Sequence, residues 1–169
     1  MGPVTDDRPL VMTLLLDEPT QQRFERERRA LFPPGRTQVG AHVTLFHALP
    51  PELYGEVVAA LGEVPGPVAV EVTGVRSLGR GAAYDLTCPD LVTRHRQWQG
   101  RWRDRLTRQD AQAWRPHVTV QNKVDPDTAR RTVAELSSAF APWTATGVAL
   151  EVWRYDGGPW THLERVLLG

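Results

Sequence analysis

An α+β fold with mostly antiparallel sheets, built as two like halves around one cleft, is what this sequence predicts. Three observations carry that expectation. Apolar strand-like runs alternate with amphipathic helical stretches, and the turns within strand pairs are too short for parallel crossovers. The tripeptide His42-Val43-Thr44 also returns as His117-Val118-Thr119, 75 residues on in a chain of 169.

The elements follow in order. Pro9 to Leu16 is an apolar run rich in Leu, Val and Met and reads as a buried strand. Glu18 to Leu31 is charged, with Phe24 and Leu31 in helical register, and Pro33-Pro34-Gly35 stops it. The His42 strand ends near Pro50-Pro51. Pro51 to Leu61 is then a short helix with Leu53, Val57, Val58 and Leu61 on one side. Val68 to Val75 alternates apolar and polar residues, and Gly79-Arg80-Gly81 turns it into a second strand, Ala82 to Cys88. Pro89-Asp90 opens the longest helix, running to about Thr107 with Leu91, Trp98, Trp102 and Leu106 as its stripe.

The His117 strand leads to Asp125-Pro126-Asp127, a helix start, and a helix carrying Val133, Leu136 and Phe140. Two strands close the chain, Gly147 to Tyr155 and Trp160 to Leu168, joined at Asp156-Gly157-Gly158-Pro159. Motif strand, helix, strand, turn, strand therefore occurs twice. This duplication predicts one domain over residues 1–169, made of two intertwined lobes with one motif in each and the helices outside. A pseudo-two-fold axis would bring the two motif strands to face each other across the cleft.

Composition narrows the function classes. Twenty basic and twenty acidic residues cancel, which favours a small substrate or the end of an RNA over an extended polyanion. One cysteine, Cys88, excludes an internal disulfide and a cysteine-based zinc site. No apolar run approaches the roughly 18 residues of a membrane span, and Met1 to Arg8 has no basic n-region. A cytoplasmic monomer without membrane or obligate protein partner is the expectation.

In a strand, residues i and i+2 share a face, so each histidine lies beside its threonine while the valines point away. An imidazole titrates near 6.5, so one neutral and one protonated copy coexist near neutral pH. The neutral copy can take a proton from water and the protonated copy can give one to a leaving oxygen. Threonine hydroxyls two residues on can hold the non-bridging oxygens of a phosphate. This arrangement calls for no metal and no cofactor. A hydrolase using the histidines as metal ligands is the competing chemistry, although no His-x₃-His or carboxylate spacing supports it.

The paired His-x-Thr motif, with an apolar residue after each threonine, resembles the 2H phosphoesterase superfamily. The nearest branch is that of the bacterial 2′–5′ RNA ligase-like or RNA 2′,3′-cyclic phosphodiesterase proteins. Length, motif spacing, element order and Pro116 directly before His117 extend the resemblance over most of the chain. It implies a bilobal fold and hydrolysis of 2′,3′-cyclic phosphates, typically to 2′-phosphates, or of 2′–5′ linkages. The implied substrate is an RNA terminus or a small nucleotide cyclic phosphate. A 2′–5′ RNA ligase and a non-catalytic RNA-end binder are the alternatives. Carried over by the resemblance, His117 is the base for the attacking water, His42 the acid for the departing 3′ oxygen, and Thr44 and Thr119 hold the phosphate. Gly40-Ala41 departs from the Asn-Leu type of approach in ligase-like members, which argues against the tRNA-joining subgroup.

Four further residues are candidates for binding substrate. Phe46 is in phase with His42 and Thr44. Arg115 precedes the second motif and Arg36 precedes the first. Tyr84, like Trp153, lies mid-strand where it could stack a base. His47 reads as peripheral, His95 as a packed helix residue, and His162 takes no role. The arginines of the long helix read as a solvated face.

Overall fold

The computed structural model describes residues 6–35 and 39–169. Strand β1 (Leu10–Leu16) leads to α1 (Glu18–Leu31) and the first motif strand, β2 (Val43–Leu49). A 3₁₀ turn and α2 (Tyr54–Leu61) precede the β3 (Val68–Ser77) and β4 (Ala82–Thr87) hairpin. Then come α3 (Pro89–Arg101), the second motif strand β5 (His117–Gln121), α4 (Pro126–Ala139), β6 (Trp143–Tyr155) and β7 (Trp160–Leu167).

Local signals set the helix starts. Asp17 caps α1 by accepting from the Thr20 amide and hydroxyl, and Asp125 caps α4 through Thr128 in the same way. The other Asp17 oxygen accepts from the Thr146 amide at 2.7 Å, so this cap also fixes α1 against β6. Helix α3, expected to be the longest, stops at Arg101, six residues short of the expected end, and its 13 residues are fewer than the 14 of α1 and of α4. Gly100 weakens its last turn, and Trp102 leaves helical geometry at φ −106°, ψ 16°.

All strand pairs are antiparallel, and the seven strands form one sheet that branches at β6. One half has the order β2-β1-β6-β7 and the other β5-β4-β3-β6. The two expected sheets are thus joined through a shared strand. Sharing explains why β6 begins at Trp143 rather than Gly147, since its extra residues pair with β3. Gly147 sits where the halves part, opposite both Leu16 and Val68. A Cβ there would lie 2.6 Å from Val68 Cγ2 and 2.8 Å from Leu14 Cδ1, so any side chain would wedge the sheet open.

The repeat begins one strand earlier than the motif suggests. It runs β1-α1-β2-α2-β3 and then β4-α3-β5-α4-β6, and each half gives its third strand to the other. Strand β3 lies beside β4, and β6 lies beside β1. The helices cross over as well: α1 and α4 cover the β5 half, while Trp102, just past the end of α3, packs on Phe46 of β2 and stacks on Trp98. Phe24, Phe46 and Trp98 are fully buried in this core, each worth about 1.5–3 kcal/mol. The α3 arginines mostly face solvent, with Arg101 paired to Glu63 and Arg105 to Glu52. Among the described residues no helix is long and apolar enough to cross a membrane.

Candidate active site

The two motif strands are the outer strands of the two halves, and they meet across the cleft. Each histidine is held by the same device. His42 Nδ1 lies 2.7 Å from the Gly40 carbonyl, and His117 Nδ1 lies 2.9 Å from the Arg115 carbonyl. A carbonyl only accepts, so Nδ1 carries the hydrogen in both rings and Nε2 is the nitrogen that exchanges protons. Gly40 also lets the chain pass close to α1, because a Cβ there would lie 2.5 Å from Glu25 Oε1. That carboxylate accepts the Ala41 amide at 2.7 Å, and the close approach accounts for Gly40 before this motif.

The histidines and threonines are paired crosswise. A wide arm of the cleft, about 770 Å³, is bordered by His42 together with Thr119 from the opposite motif. A narrower arm, about 250 Å³, is bordered by His117 together with Thr44. The crossing follows from two motif strands related by a two-fold. An imidazole and a hydroxyl from different halves thus border each arm.

Burial pushes His42 down to about 4, and the positive charges of Arg28, His47 and His117 reinforce it against the Gly40 hydrogen bond. His117 is also lowered, chiefly by burial, with Arg76 and His47 adding to it and the Arg115 carbonyl and Asp85 opposing. Both rings are therefore neutral at pH 7, and an arriving anion would favour protonation of one of them.

The motif backbones are braced differently. Trp114 Nε1 donates to the Thr44 carbonyl at 2.8 Å, whereas Arg28 Nη1 donates to the Thr119 carbonyl at 2.6 Å. Trp114 stacks on His95, and His95 stacks on Phe46. Buried and shifted toward neutrality, His95 also bonds the Leu45 carbonyl through Nε2 at 2.8 Å. It is a packed helix residue, as expected.

Two expected binding residues do not reach the cleft. Phe46 is 0% exposed, because the pairing of β1 with β2 slips between Thr13–Thr44 and Met12–Phe46. Leu45 is the extra residue of this bulge, and beyond it the alternation reverses, turning Phe46 into the core and His47 outward. Tyr84 is 2% exposed and packs among Phe24, Phe140 and Trp143 under α1 and α4. Mid-strand position alone does not say which face carries the helices. Arg115 borders the His117 arm as expected, while Arg36 lies outside the described residues.

Four residues were not anticipated. His47 borders the narrow arm, its backbone amide and ring both bonded to Asp110. Asp110 is buried, which would raise its pKa, but bonds from His47 and Ala48 outweigh burial and lower it. Trp160 stands 4.7 Å from the His42 ring. Arg28 and Lys123 border the wide arm. Arg28 had a legible signal, since it lies four residues after Phe24 and three before Leu31, on the apolar stripe of α1. Trp160 had none beyond being an aromatic after a turn.

Comparison with known proteins agrees with this architecture. The sequence signature of the 2′-5′ RNA ligase superfamily matches residues 16–159. No curated protein matches the chain. Among solved structures, a phosphoesterase superposes with a TM-score of 0.62 at 15% identity, covering 96% of this chain and 99% of its own. TT0787 of Thermus thermophilus gives 0.62 at 16% identity, over 95% and 97%. Escherichia coli LigT complexed with NADP+ gives 0.59 at 16%, over 97% and 99%; its complex with 3′-AMP gives 0.61 at 14%, over 96% and 99%.

Proposed function

The chain belongs to the 2′-5′ RNA ligase superfamily, and from that premise we propose that it is a metal-independent phosphodiesterase opening 2′,3′-cyclic phosphates on RNA ends or nucleotides. The observation that carries the reading is the crosswise pairing of His42 with Thr119 and His117 with Thr44, each ring locked through Nδ1. Two proton-exchanging nitrogens, one to each arm of the cleft, suit a displacement at phosphorus.

In this reading the nucleoside occupies the wide arm, beside Trp160 and His42, and water enters from the narrow arm. His117 Nε2 takes the proton as the water oxygen bonds to phosphorus. The bond from phosphorus to the 3′ oxygen breaks, and protonated His42 Nε2 delivers its proton to that oxygen, leaving a 2′-phosphate. The hydroxyls of Thr44 and Thr119 donate to the non-bridging oxygens, where charge develops. A protonated His42 is a rare species at pH 7, and the negative charge of the substrate offsets the burial that disfavours it. LigT, with this fold, has been crystallised with 3′-AMP and NADP+, which supports a nucleotide as the ligand of this chain.

The test is a screen of nucleoside 2′,3′-cyclic phosphates and 2′–5′ dinucleotides with and without EDTA. The expected result is EDTA-resistant opening of the cyclic phosphate to the 2′-phosphate. Exclusive formation of 2′–5′ linkages from the same ends would replace this reading with a ligase. Tight binding of RNA ends without turnover would replace it with an end-binding protein.

A further inference from the structure

Resting on the phosphodiesterase reading, we propose that Arg28 and Lys123 form a second phosphate site in the wide arm, for a phosphate on the 5′ side of the nucleotide whose cyclic phosphate is opened. Arg28 is 6% exposed and lies over the Phe32 ring at 4.3 Å. Its Nη1 bonds the Thr119 carbonyl and its Nη2 the Val39 carbonyl at 3.0 Å, while buried Nε has no partner. Among the described residues no carboxylate pairs with it. The nearby Glu25 is committed to the Ala41 amide and to Gln21.

A guanidinium keeps its proton even where burial lowers its pKa, so the wide arm is bordered by a fixed positive charge that, among the described residues, Glu25 offsets only through space and not by an ion pair. Buried charges are ordinarily paired, and this one borders an open cavity from which an anion can supply the partner. In the narrow arm the cations stand differently: Arg115 at its border is exposed to solvent rather than buried. There Arg76 is already matched by Asp85, with Nε 2.6 Å from Oδ1.

Lys123 is the second, independent observation. Its φ of 64° is unusual for a side-chain-bearing residue, and the neighbouring chain imposes it. The Val124 amide bonds the Arg80 carbonyl at 3.1 Å, and Gly81 lies so close to Gln121 that a Cβ would overlap its carbonyl. The clamp keeps this lysine at the wall of the cavity that Arg28 borders. Two cations there exceed what the opened phosphate requires, since that group already has two imidazoles and two hydroxyls. A ribose with its 2′,3′ edge at the histidines directs its 5′ oxygen away from them and into the arm. A terminal 5′-phosphate and an internucleotide phosphodiester would present the same anionic oxygens.

The experiment compares wild type with Arg28→Met and Lys123→Met. Calorimetric binding of adenosine 3′,5′-bisphosphate against 3′-AMP needs no turnover. The wild type is expected to prefer the bisphosphate at least tenfold, and each variant to bring that ratio toward one. In parallel, kcat/KM is measured for adenosine 2′,3′-cyclic phosphate, its 5′-phosphorylated form and the dinucleotide ending in the cyclic phosphate. A gain confined to the 5′-phosphorylated form assigns the site to a terminal phosphate, and a gain shared with the dinucleotide assigns it to an RNA end. Equal affinity for the two adenosine ligands in wild type, or variants that weaken both alike, overturns the proposal. Should Arg28→Met fail to fold, exposed Lys123→Met carries the comparison. A bisphosphate preference without hydrolysis refutes the reaction and keeps the site; hydrolysis without the preference does the reverse.

Discussion

The two His-Val-Thr segments share a sequence and a backbone device, yet they stand in different surroundings. Both rings donate Nδ1–H to a carbonyl two residues back. The first motif has its threonine carbonyl held by the neutral indole of Trp114, in a stack running through His95 to Phe46. In the second, the carbonyl is held by the charged guanidinium of Arg28, reaching across from α1. His42 faces a wide arm bordered by the buried guanidinium of Arg28, and His117 a narrow one where Arg76 is matched by Asp85 and Arg115 is exposed. In the proposed reaction a duplicated motif would supply acid and base interchangeably, and the unequal neighbours would supply direction.

The largest expected effect tests whether both halves are needed. His42→Ala and His117→Ala should each lower kcat about 10²–10⁴-fold at unchanged thermal stability. Near-full activity in either would leave a one-histidine mechanism. Next are the hydroxyls: Thr44→Val and Thr119→Val should each cost on the order of 10–10³-fold in kcat with the fold retained. Equal losses would mean that the phosphate is held symmetrically, and a larger loss at one would show where the charge develops.

The pH profile compares the two rings directly. In the proposed reaction free-enzyme kcat/KM needs one neutral and one protonated imidazole, and both are lowered by burial, His42 to about 4. The profile should therefore be a bell with its maximum below pH 6.5, falling on the acid side near pH 4 and on the neutral side as the second ring loses its proton. A maximum above pH 7 would mean that the imidazoles are not buried as described.

A smaller effect is expected at the brace. Trp114→Phe keeps the stack on His95 but removes the bond to the Thr44 carbonyl, costing about 1 kcal/mol of stability in a denaturant titration. The least is expected in stability against pH. His42 binds a proton more weakly folded than unfolded, so its contribution is complete above about pH 6.5 and is lost as pH falls from there toward 4. His42→Asn should flatten the melting-temperature curve within that window. An unchanged acid slope would place the loss with His95 and His117 instead.

Much of this was legible because local rules sufficed. The capping aspartates, the turn glycines and the apolar stripes located most elements to within a few residues. The His-x-Thr spacing put each pair on one face. What was not legible depended on partners distant in sequence. Phe46 follows the motif's alternation on paper, but the bulge at Leu45 breaks it, and the bulge is defined by pairing with β1 and secured by His95 from α3. Tyr84 has the pattern of a cleft aromatic, and the helices laid over its face put it in the core.

By itself the sequence determined the candidate groups, their sharing of a face, the order of elements and the duplication, because these follow from backbone period and residue chemistry. Only the tertiary structure decided which histidine meets which threonine, since the halves exchange their third strands and the motifs pair crosswise. It also decided that an arginine from the first helix would stand beside the second motif with no carboxylate paired to it among the described residues. Burial and charge balance are properties of the assembled neighbours, and no local pattern encodes them.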